Sequence, residues 1–137
     1  MFLYYGWLTI EAEEHESNYY SLQNFDLIQE KINEFNALYF SENTFTLKTI
    51  NGYKHLLVSG ADNRKGEFWN LIYKELFWIA EIMKGSYGVI YTRDTANYEG
   101  NIKSNEFEVY VMKRGCFELS NIPDPYLSPC APKIEDA

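Results

Sequence analysis

Asn51-Gly52 narrows the fold more than any other feature, because both residues accept the positive φ of a tight hairpin turn and both flanks alternate. Before the turn, Phe45, Leu47 and Thr49 alternate with Thr44, Thr46 and Lys48; after it, Tyr53 to Ser59 reads as the return strand and ends at Gly60. The spacing predicts an antiparallel hairpin over 44–50 and 53–59. A hairpin of this kind is stable only when one face is covered, so the rest of the chain has to supply further strands or helices.

That cover is legible as two helices. Phe25, Ile28, Ile32, Phe35 and Tyr39 recur at steps of three and four, which predicts an amphipathic helix from Ser21, with the Ser21 hydroxyl placed to cap its first turn. Phe68, Leu71, Ile72, Leu76, Ile79 and Met83 mark a second helix, which Gly85 ends. Its apolar arc is widened by Trp69, Tyr73, Phe77 and Trp78, so either both sides pack or one side waits for a partner.

Three more strands are expected. Residues 2–10 read as a central strand with Gly6 as a bulge or close-approach position, and 86–93 and 106–113 read as two strands joined by the polar segment 94–105. In the last strand Phe107, Val109 and Val111 share one face; Glu106, Glu108 and Tyr110 share the other, which is expected to meet water or a partner. Beyond Gly115 come Pro123, Pro125, Pro129 and Pro132, which exclude regular helix or central strand, so 116–137 reads as an irregular tail packed on the body. The expected fold is α+β, in the order β-α-β-β-α-β-β: a largely antiparallel sheet of about five strands with two helices on one face. It resembles a split β-α-β fold with an added strand. At 137 residues, one domain is expected.

Charge narrows the function. Lys and Arg number 12 against 20 Asp and Glu, a formal charge of −8, which argues against binding nucleic acid and for a basic partner. The one dense charge cluster is Glu11, Glu13, Glu14 and Glu16, whose plain reading is a solvated loop. Aromatic residues make up 18 %, more than one core would seem to need, so some rings should reach the surface as contact residues. The first ten residues lack the basic region and cleavage site of an export signal, and no apolar run approaches the roughly 20 residues of a membrane helix. A cytoplasmic chain with Cys116 and Cys130 as thiols is expected.

Catalysis finds little support. The only histidines are His15 and His55, and neither Cys116 nor Cys130 has a Cys or His within four positions, so no metal or cofactor is expected. Gly85-Ser86-Tyr87-Gly88 precedes a strand instead of opening a helix, unlike a phosphate loop. The rival reading is a small-molecule-binding protein or enzyme with its site between the sheet and the aromatic second helix. A third is a homo-oligomer using the last strand as an edge.

Tyr5-Gly6-Trp7-Leu8-Thr9-Ile10, the block Gly85 to Tyr91 with Arg93-Asp94, Lys113-Arg114-Gly115, and Asp124-Pro125-Tyr126-Leu127-Ser128-Pro129-Cys130 with Ile134-Glu135-Asp136 together resemble the immunity protein 7 family of bacterial polymorphic toxin systems. The resemblance implies a cytosolic, non-enzymatic antidote that binds a toxin domain. The acidic charge fits a toxin of nuclease type, which has to carry a basic surface, and a monomer or weak homodimer is expected when the protein is free. The expected contacts are Glu11, Glu13, Glu14, Glu16, Tyr19, Tyr98, Glu106, Glu108 and Tyr110.

Overall fold

Asn51 and Gly52 take φ of 51° and 81°, and Ile50 pairs with Tyr53 across them, so the hairpin forms where its turn chemistry places it. The computed structural model describes residues 1–12, 18–39, 44–95 and 107–120, and in the first helix the side chains from Gln23 onward. Its elements are β1 (Phe2–Ile10), α1 (Asn18–Leu38), β2 (Phe45–Ile50), β3 (Tyr53–Asp62), α2 (Glu67–Ile82), β4 (Tyr87–Asp94), β5 (Glu108–Lys113) and β6 (Cys116–Leu119).

The strands form one sheet in the order β2-β3-β1-β4-β5-β6, every neighbouring pair antiparallel. Because β1 runs antiparallel to both β3 and β4, those two are parallel to each other with β1 between them. The order β2-β3-β1-β4 is thus two interleaved split β-α-β units, extended at one side by the β5-β6 hairpin.

Alternation along β1 sets the two faces. Phe2, Tyr4, Leu8 and Ile10 are buried under the helices with Leu56 and Val58 of β3, Ile90 of β4 and Met112 of β5. Gly6 falls on this same face by alternation, and a Cβ there would run into the Val89 carbonyl oxygen and lie 2.6 Å from Ile90 Cδ1. Ile28, Ile32 and Phe35 of α1 and Trp69, Ile72, Leu76 and Ile79 of α2 complete the core, each contributing about 1.5–3 kcal/mol through removal from water. The helices run antiparallel: the Asn24 side-chain amide donates to the Ile82 carbonyl at one end, and Phe35 and Tyr39 meet Phe68 at the other. Asn36 Nδ2 reaches the Phe45 carbonyl and Tyr73 Oη donates to the Phe117 carbonyl, so α1 covers the β2 side of the sheet and α2 the β6 side.

Several expectations need correction. Helix α1 begins at Asn18, so Ser21 is a helical residue and not the N-cap. Strand β3 continues past Ser59 to Asp62, because all nine residues of β1 find partners along it. Residues 116–119 are a strand, β6, joined to β5 by Arg114 and Gly115 at φ 53° and 80°. Strand β5 therefore lies inside the sheet and offers no edge for self-association. Its faces are also exchanged relative to expectation. Tyr110 is 6 % exposed and packs in the core against Trp69, Tyr73 and Phe117, while Val109 and Val111 point to the helix-free side. Helix α2 packs on both flanks: Trp69 is 2 % exposed, Tyr73 lies against Phe117, and Lys31 sits 4.2 Å over the Trp78 ring.

Candidate partner-binding surfaces

Two surfaces stand apart from the core, and their chemistry differs. The first is the exit from β1. The Glu11 backbone N–H donates to Ser86 Oγ at 3.1 Å and the Ser86 hydroxyl donates back to the Glu11 carbonyl at 3.4 Å. Gly85 lets this approach happen, because a Cβ there would strike the Ala12 carbonyl. The chain is thus pinned to the start of β4 just where the run Glu11, Glu13, Glu14 and Glu16 begins.

Glu11 itself is half-buried; Glu13, Glu14 and Glu16 lie outside the described residues, as do Tyr98 and Glu106, and of Tyr19 only the helical backbone is described. Glu108 is half-buried on the helix side of β5, opposite Thr92, at the far end of the sheet from Glu11. Tyr110 is a core residue and leaves the set of contact candidates. Within the described residues, then, the structure does not bring the expected contacts together.

The second surface is the helix-free face of the sheet. Tyr5 and Trp7 of β1 point there, 44 % and 51 % exposed, with Leu57 across from Trp7 on β3 and Tyr53 and Ile50 beyond. Phe107 lies 6.5 Å from Tyr5 and 6.1 Å from Tyr91 between ring centroids. Charged side chains at this face's register positions are mostly cationic: Lys48, Arg93 and Lys113, with Glu118 on β6. Sequence reading did not single out this surface. Its signal was the alternation in β1, where Tyr5 and Trp7 fall opposite Phe2, Tyr4 and Leu8.

A family model described as Immunity protein 7 matches residues 1–136. The chain belongs to the immunity protein 7 family. No curated protein and no solved structure matches it. Membership gives this immunity protein its general role, the antidote of a toxin system, with a cognate toxin as partner.

The remaining features of this immunity protein 7 member read as structural. His55 shares a 3.2 Å hydrogen bond through Nδ1 with Thr9 Oγ1, which ties the neighbouring strands β3 and β1 together. Among the described residues no three metal-ligating side chains come together. A cleft of about 300 Å³ lies between α1 and α2, lined by Lys31, Glu34, Leu38, Lys74 and Glu75 among others. It opens on the outer side of the helices and not between the sheet and α2, where the small-molecule reading placed its site. Burial raises the Glu75 carboxyl above its ordinary range, opposed by Lys31 at 4.0 Å and reinforced by Glu34. No described helix is long and apolar enough to cross a membrane.

Proposed function

We propose that this chain binds and neutralises one cognate toxin domain in the cytosol of the cell that makes it, and that the toxin is of the nuclease type. The observation that carries the reading is the acidic balance in a member of an immunity family: a net charge of −8, with four Glu among residues 11–16. An enzyme that acts on nucleic acid presents a basic surface to phosphate, and an acidic partner both covers that surface and reaches it quickly by electrostatic steering. The run Glu11, Glu13, Glu14 and Glu16 is the first contact, with Tyr19 and Tyr98 as ring contacts and Glu106 with Glu108 as a further acidic contact.

The test uses the toxin domain encoded beside this chain. Replacing Glu11, Glu13, Glu14 and Glu16 by Gln should slow association about tenfold at low salt and flatten its dependence on ionic strength, with dissociation changed less. Stopped-flow association rates that match the parent at every salt concentration remove the acidic run from the interface.

A further inference from the structure

Strand β2 is one edge of the sheet, and its hairpin decides which of its backbone groups face outward. Ile50 and Tyr53 flank a two-residue turn, and the Ser59 N–H donates to the Thr44 carbonyl, so Thr44, Thr46, Lys48 and Ile50 direct their hydrogen bonds to β3. Phe45, Leu47 and Thr49 alternate with them and turn their N–H and C=O groups away from the sheet. Asn36 Nδ2 meets the Phe45 carbonyl at 3.4 Å; among the described residues nothing meets the backbone groups of Leu47 and Thr49.

The opposite edge differs. Strand β6 has four residues, the same alternation turns only Phe117 and Leu119 outward, and Tyr73 Oη already donates to the Phe117 carbonyl. Strand β2 has six residues, no proline and an unbroken register with β3, and its Lys48, Thr49 and Ile50 are exposed. An open edge of this kind is a template for a further strand. We propose, on the basis of the antidote reading above, that β2 receives an extended acidic segment of the cognate toxin as a seventh strand of the sheet.

Main-chain pairing supplies affinity with little regard to sequence, and the side chains beside the edge select the partner. Here they select acid. From Asn43 to Ala61 the chain has no Asp or Glu, while Lys48 stands on the helix-free face and Lys54, which donates to Thr49 Oγ1, on the other. Exposed Ile50, Tyr53, Leu57 and Trp7 continue the site as an apolar strip on the Lys48 side. A second copy paired through β2 about Leu47 would set Lys48 against Thr46 and bring only further cations to the edge, so charge favours the toxin over self-pairing. The two contacts divide the toxin between them: the run Glu11, Glu13, Glu14 and Glu16 answers its basic surface, and the β2 edge takes an acidic strand from elsewhere on it.

The test is titration calorimetry of the full chain with the toxin domain encoded beside it. Thr49→Pro removes an outward N–H and sets a ring on the edge, a change that edge strands tolerate, and Leu119→Pro makes the same change at the β6 edge. The expected result is a Kd raised about tenfold by Thr49→Pro and by Lys48→Glu, with Leu119→Pro at the parent value. Parent-like affinity in both β2 variants overturns the proposal, and so does an equal loss in Leu119→Pro. A second measurement needs no variant: the Leu47 and Thr49 amides should exchange hydrogen about tenfold more slowly in the complex than in the free protein. Unchanged exchange overturns the proposal, as does slowing that follows the concentration of the free protein, which would give the edge to a second copy. A parent chain that does not bind the toxin at all removes the antidote reading and this proposal with it, whereas the variant outcomes bear on the edge alone.

Discussion

Tyr4 shows how one buried residue couples strand packing to pH. Its ring rests over Gly60, where a Cβ would collide with it, and burial first, then the nearby Asp62 carboxylate, push its hydroxyl up to about 12, against a smaller opposing effect of a Thr44 hydrogen bond. The ordinary value is 10.0, so the folded protein holds this proton more tightly than the unfolded chain does. Stability from this group is therefore complete below pH 10.0 and falls as pH rises toward about 12. Tyr4→Phe should flatten the decline over that window while leaving the acid side unchanged, as read from urea midpoints at a series of pH values. A parent-like decline in the variant would assign the loss to other groups.

At the scale of elements, the two hairpins use one backbone solution with unequal sequence signals. Asn51-Gly52 and Arg114-Gly115 both hold two successive residues at positive φ, the geometry that matches strand twist. Asn adopts this region readily, whereas Ala does so at a cost of about 1–2 kcal/mol. Asn51→Ala should lower unfolding free energy by about 1 kcal/mol in chemical denaturation, with the fold retained; no measurable loss would mean that the turn relaxes to another type. The Arg-Gly turn was invisible in the sequence because Arg is not a turn former, β6 is four residues long, and the prolines beyond it dominate the reading. The early start of α1 was hidden for a related reason: Asn18, Tyr19 and Tyr20 do not extend the apolar stripe that runs from Phe25 to Tyr39, although the helix includes them.

The whole molecule is held by rings that join separate elements. Trp69 of α2 meets Phe2 and Tyr4 of β1 and Tyr110 of β5 at centroid distances of 5.4, 5.8 and 5.1 Å, so its loss opens a void shared by three elements. Trp69→Ala should cost about 3–5 kcal/mol, a large part of the 5–15 kcal/mol typical of a domain, and calorimetry should show a strongly lowered Tm. A shift of only a degree or two would mean that neighbouring side chains refill the space. Seen whole, this member of the immunity protein 7 family carries an acidic run directly after β1 in sequence and an aromatic, cation-bearing face on the helix-free side of the sheet. The sequence alone determined the α+β class, the element order up to β5, the helix stripes and the first hairpin, because each rests on local periodicity and turn chemistry. It also carried the family blocks and the acidic balance. Only the tertiary structure decided which face of each strand is inner. Alternation separates Val109 and Val111 from Tyr110, and Tyr5 and Trp7 from Tyr4, but both sets are apolar, so hydrophobicity cannot choose between them. The choice is made by the helices: Trp69 and Tyr73 need ring partners within reach, and Tyr110 supplies them.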